Sequence, residues 1–155
     1  MGLDMFLHKR THVLHYGKND PSPKVHVDYP GIKSERVTYV SERMGVWRKA
    51  NAIHAWFVDN CQKGEDDCRE HYVDPSDLKK LLDTVDQVLA DHSLASALLP
   101  TQGGFFFGNT EYGDDYFDDL KLTKEICKLA LAEIPTRRRH PIPIVQSEFY
   151  YESNW

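Results

Sequence analysis

The segment Asp74 to Leu89 constrains the fold most, because its pattern fits a one-sided helix and little else. Asp74 stands where an N-cap accepts from the free N–H groups of a first turn. Pro75 suits the first helical position, and Asp77 sets negative charge beside the positive end of the helix. Leu78, Leu81, Leu82, Val85, Val88 and Leu89 then recur at three- and four-residue spacing, with Lys79, Lys80, Asp83 and Asp86 on the other side. A stripe this apolar has to be covered by a second layer.

Strand patterns at the two ends of the chain offer that layer. Leu3, Met5 and Leu7 alternate with Asp4, Phe6 and His8, and Val145, Ser147, Phe149 and Tyr151 alternate within Ile142 to Tyr151, where Pro143 sets the start near an edge. Tyr16 to Lys33 is crowded with Gly and Pro and reads as a loop-rich excursion holding at most a short strand around Val25 to Tyr29. Arg36 to Val40 reads as a further short strand. A helical pattern is then expected from about Glu42 to Gln62, with Val46, Ala50, Ile53, Phe57 and Cys61 on one face. A third helix is expected from Asp114, placing Tyr116, Leu120, Thr123, Cys127, Ala130 and Ile134 on one stripe, with Pro135 as its stop. Between helices two and three, the run Gly103-Gly104-Phe105-Phe106-Phe107-Gly108 is expected to form an ordered loop or short strand with its phenylalanines pinned into the core.

Together these elements imply an α+β fold: a small, partly antiparallel sheet from N- and C-terminal strands, with about three helices packed on one face. No repeat, low-complexity tract or composition shift divides the chain, so residues 1–155 are expected to form a single domain.

The formal charge of −5 argues against a broad electropositive surface for phosphates, making nucleic acid an unlikely partner. Three widely spaced cysteines suit a reducing compartment better than a disulfide framework. No segment resembles an export signal, a lipidation signal or a membrane span, so a cytoplasmic protein without membrane association is expected.

Three stretches look familiar: Met1-Gly2-Leu3-Asp4-Met5, the run from Trp47 to Phe57, and Leu98-Leu99-Pro100-Thr101 leading into Gly104 to Gly108. Together with Thr110-Glu111-Tyr112 and the aromatic C-terminal strand, they resemble small phage- and prophage-encoded proteins for which no activity is established. The resemblance implies a context and no catalytic residue: an accessory protein in a host cytoplasm, acting on a host protein as, for example, an anti-defence factor.

The first candidate constellation is Trp47, Asn51 and His54 on one arc of the expected first helix, with Arg48 nearby and Trp56 on the far side. His54 could serve as a general base, Asn51 could orient a substrate, and Arg48 could pair with an anion. The bland alternative makes His54 and Asn51 border residues of the core, bonded to backbone, and Trp56 a packing residue. Glu111, Asp114, Asp115, Asp118 and Asp119 form an acidic group in which Asp115 and Asp119 could offer oxygen ligands to a metal, or simply suit a helix start. Cys61, Cys68 and His71, with His54, lack the spacing of common zinc sites. Arg137-Arg138-Arg139-His140 is a phosphate-docking patch or a solvated connector.

No cofactor motif occurs: Gly103 to Gly108 lacks the Lys-Ser/Thr of a phosphate loop. The leading expectation is therefore a non-enzymatic protein that binds a host protein through exposed aromatics. One alternative is a binder of a small, nucleotide-like molecule in a pocket made by Trp47, Arg48, Asn51, His54 and Tyr112. Another is a small hydrolase or nuclease with His54 as base and Glu111 or Asp115 as acid or metal ligand.

Overall fold

The computed structural model describes residues 2–13, 19, 24–134 and 147–155. Its architecture is α+β. Four strands, β1 (Asp4–His12), β2 (Tyr39–Arg48), β3 (His71–Val73) and β4 (Ser147–Asn154), form one antiparallel sheet in the order β2-β1-β4-β3. Four α-helices are present among the described residues: α1 (Asn51–Cys61), α2 (Pro75–Ala90), the short α3 (Ala95–Leu98) and α4 (Asp114–Ala132).

The alternation along the terminal strands decides which face is covered. Leu3, Met5 and Leu7 are fully buried, as are Phe149 and Tyr151 on β4 to within a few per cent, while Phe6, His8, Tyr150 and Glu152 between them are only half-buried. One face carries the helices; the other carries polar and aromatic groups. On that second face the Arg10 guanidinium stands over the rings of Tyr39 and Tyr150, 4.5 and 4.2 Å from their centroids, and forks onto Glu70 with bonds of 2.9 and 2.7 Å.

Helix α2 follows its sequence signature: Asp74 Oδ1 accepts from the Ser76 N–H at 2.8 Å, and Leu78, Leu81, Val85 and Val88 are completely buried. Helix α4 lies along α2 and reaches β2, burying Tyr116, Leu120, Thr123, Cys127 and Ala130 as its periodicity requires. Ile134 packs on the edge of the core, whereas the stop at Pro135, the Arg137–His140 connector and the strand residues before Ser147 lie outside the described residues.

The stretch after Val40 departs from expectation. Instead of opening a helix at Glu42, it continues as β2, with α1 starting only at Asn51; the turn between them holds Lys49 at φ 59°. Pairing wins because β1 offers a complete partner edge, with Met5 opposite Trp47, Phe6 opposite Val46 and Leu7 opposite Gly45. A shift after Leu7 leaves Met44 as the extra residue of a bulge, which turns Met44, Gly45 and Trp47 all toward the core. Trp47 and Arg48 therefore belong to a strand. Of the strand expected from Arg36 to Val40, Arg36 closes a 3-10 turn (Ser34–Arg36) and only Tyr39 and Val40 are in β2; Val25 to Tyr29 forms no strand, and the Ser34 hydroxyl holds that segment by accepting from the Val27 N–H at 2.9 Å.

No helix among the described residues is long and apolar enough to cross a membrane.

Candidate functional site

At the end of the sheet where β1 begins and β2 stops, the loop 99–113 folds over the start of α1. Asn51 fixes it there. Buried at the first turn of α1, its side-chain amide donates to the carbonyls of Phe107 and Asn109 at 2.9 and 2.8 Å, and its carbonyl oxygen accepts from the Gln102 N–H at 3.0 Å. Three bonds to three points of one loop make a clamp. Thr101 adds to it by donating its hydroxyl to Thr110 O at 2.9 Å and its N–H to the Tyr112 hydroxyl, and the Leu3 N–H donates to Phe106 O.

Inside that clamp, the Phe107 N–H returns to Gly104 O at 3.1 Å and closes a turn with Phe105 and Phe106 at its centre. The expectation that all three phenylalanines enter the core fails here. Phe107 is buried and packs edge-on against His54, Phe106 is half-buried, and Phe105 is 95% exposed. Chain direction at a tight turn cannot send three successive side chains inward. Gly108, at φ 82°, lets the chain leave the turn close beside Lys49, where an added Cβ would sit 3.2 Å from the lysine Cβ.

Beneath the loop lies a cleft of about 450 Å³. The β2–α1 junction supplies Arg48, Lys49 and the first turn of α1, which has no side-chain cap; the loop and α4 supply Glu111, Asp115, Asp118 and Asp119. Lys121 pairs with Asp118 at 2.7 Å, while Arg48, largely exposed, is 3.6 Å from Asp4. Burial, together with the charges of Asp115 and Asp118, pushes the Asp119 carboxyl up to about 6.

The cleft thus gathers six residues that the sequence singled out, Arg48, Asn51, Glu111, Asp115, Asp118 and Asp119, and leaves out Trp47, His54, Trp56 and Tyr112. Trp47 is buried with its indole N–H donating to Thr123 Oγ1 at 2.8 Å. Trp56 is half-buried and packs edge-on against Phe57, so neither tryptophan offers a free aromatic surface. Tyr112 stands outside the cleft with its ring edge-on to Tyr116, bracing the loop.

His54 is buried completely. Its Nδ1 lies 2.7 Å from the Tyr151 hydroxyl and its Nε2 2.9 Å from Asp66 Oδ2. Both ring nitrogens are engaged by side chains, not by backbone as expected, and no edge of the ring meets the cleft, so the general-base assignment has no geometric support. Among the described residues no three His, Cys, Asp or Glu side chains converge well enough to hold a metal ion. Cys61, Cys68 and His71 are therefore not brought together as a zinc set, and His71 instead pairs with Asp67 at 2.7 Å, whereas Asp115 and Asp119 both line the cleft. Burial pushes the thiols of Cys61 and Cys127 up to about 12, which leaves both unreactive.

Two features escaped the sequence. Phe105 was hidden in a run of three identical side chains, where only the turn geometry separates the outward one. Lys49 was passed over because only the fold brings it to the same cleft as the acidic residues of α4, which lie far away in the chain. No family model, curated protein or solved structure matches the chain.

Proposed function

We propose that this chain is a non-enzymatic binding protein that docks onto another protein through the loop 99–113, with Phe105 as its anchor. The observation that carries the reading is a fully exposed phenylalanine on a clamped loop. Leaving a phenylalanine in water forgoes roughly 2–3 kcal/mol relative to burying it. A loose loop would fold such a side chain back; Asn51, Thr101 and Leu3 hold this one out. A rigid, outward aromatic with little entropy left to lose is what a binding hot spot requires. Half-exposed Trp155 and Tyr112 widen the apolar surface near the loop, and Glu111, Asp114 and Asp115 edge it with negative charge. The partner that fits is a protein with an apolar pocket bordered by basic residues. The likeness to phage-encoded proteins supports a bacterial host protein as that partner, and an anti-defence role as its consequence.

The test compares tagged wild-type protein with Phe105→Ala in capture from a bacterial lysate, with mass spectrometry and size-exclusion chromatography of each protein alone. The reading expects a stoichiometric protein, retained by the wild type and lost from Phe105→Ala at unchanged thermal stability. Capture that does not depend on Phe105, or self-association through it, would overturn the reading.

A further inference from the structure

We infer that the cleft between the start of α1 and the first turns of α4 is a binding site for a small zwitterion of net positive charge, of the basic amino-acid type. This rests on the cavity and its charges; Glu111 and Asp115 also border the proposed partner surface, but Phe105 does not line the cavity. A volume of about 450 Å³ falls within the range of small-ligand sites and exceeds what a few waters need.

Its walls carry opposite charge on separate elements. On one side, Lys49, the uncapped first turn of α1 and Arg48, which already stands 3.6 Å from Asp4, present positive charge and free backbone N–H groups, an arrangement that favours a carboxylate. On the other, Glu111, Asp115 and Asp119 present carboxyl groups that form no ion pair among the described residues, beside Asp118, which is already paired with Lys121. Groups of opposite sign that face one cavity without meeting across it are satisfied together by a ligand that carries both signs at its two ends. With Asp118 and Arg48 already paired elsewhere, the lining leaves Glu111, Asp115 and Asp119 against Lys49, so such a ligand brings more positive than negative charge. A nucleotide meets the reverse condition: its phosphates would lie against carboxylates. The carboxyl of Asp119, held up to about 6 by burial and by its neighbours, is the group that an incoming ammonium or guanidinium would relieve most.

The experiment titrates L-arginine, agmatine and L-glutamate into the full chain, following backbone amide shifts by NMR and heat by calorimetry. Saturable binding of L-arginine is expected, with shifts centred on Ala52, Ile53 and the first turns of α4. Agmatine, which lacks the carboxylate, should bind at least tenfold more weakly, and L-glutamate should not bind. Asp115→Asn and Asp119→Asn should each weaken L-arginine roughly tenfold, a loss of about 1.4 kcal/mol. Lys49→Gln should instead erase the preference for arginine over agmatine. Phe105→Ala should bind arginine as the wild type does, which separates this site from the partner surface. Absence of saturable arginine binding up to about 10 mM, equal affinity for agmatine, or full affinity in both carboxylate variants would each overturn the assignment.

Discussion

The imidazole of His54 bridges Tyr151 and Asp66, with Nδ1 2.7 Å from the tyrosine hydroxyl and Nε2 2.9 Å from the aspartate oxygen. All three groups are satisfied when Nε2–H donates to Asp66 and Nδ1 accepts from the Tyr151 O–H. Burial keeps that hydroxyl protonated, raising its pKa well above the ordinary tyrosine value. Trp155 closes the chain of bonds by donating its indole N–H to the other oxygen of Asp66 at 3.1 Å. The network ties α1 to β4 and to the loop that follows α1.

His54→Ala should therefore act on stability and leave binding alone. It removes a buried ring that packs against Phe107 and orphans the Tyr151 hydroxyl and a carboxylate oxygen. The expected cost is about 3 kcal/mol. Denaturant melts would measure it, and capture of a partner by the folded fraction would stay at the wild-type level.

Asn51→Ala should loosen the loop before it unfolds the protein. Three hydrogen bonds disappear, and the buried carbonyl of Phe107 and the more exposed one of Asn109 lose this donor. A loss of about 2–3 kcal/mol follows from ordinary hydrogen-bond values. The sharper sign is local: chymotrypsin should cut beside Phe105 and Phe106 much faster in the variant, at a temperature where both proteins remain folded.

What the sequence made legible follows the same division between regular and local geometry. Helices α2 and α4 and the terminal strands could be read because each buries one face, and burying one face forces a period on the sequence. The segment from Glu42 to Lys49 could not, since Met44, Val46 and Trp47 suit a strand edge as well as a helix face. Only the pairing with Asp4 to Leu7, some forty positions earlier, decides between them. The site was legible in its residue types and not in their assignments. Arg48, Asn51, Glu111, Asp115 and Asp119 do come together, yet Asn51 holds the loop where a substrate contact was expected, and His54 belongs to the core.

Gly45 has a packing reason that no local pattern reveals. A Cβ placed there would lie 2.5 to 2.9 Å from three side-chain carbons of Ile126 on α4. Ile126 is buried and branched, so it cannot swing aside as the tip of a long side chain would. Gly45→Ala should destabilise the protein by about 1–3 kcal/mol through overpacking. The double variant with Ile126→Val, which shortens the opposing side chain, should recover part of that loss in thermal melts.

Asp119 makes stability depend on pH in the sense opposite to an ion-paired carboxylate. Its carboxyl is held at about 6 in the folded chain against 3.8 ordinarily, because burial and the charges of Asp115 and Asp118 disfavour ionisation. Between about pH 4 and pH 6 the folded state then keeps a proton that the unfolded state releases, so this group's contribution to stability falls as pH rises through that window. Below it, aspartic acid and asparagine are nearly equivalent at this position; above it, the wild type carries a strained charge that Asp119→Asn lacks. Allowing for solvent screening at a partly exposed site, the variant should be more stable by about 1 kcal/mol at pH 7 and by almost nothing near pH 3.5. The comparison must be a difference between the two proteins, since Asp67, Asp74 and Glu148, whose pKa values are lowered by hydrogen bonds, push the stability of both the other way in acid. Urea melts of the pair across that range would measure it, and an advantage that did not change with pH would place the strain elsewhere than in the ionised Asp119.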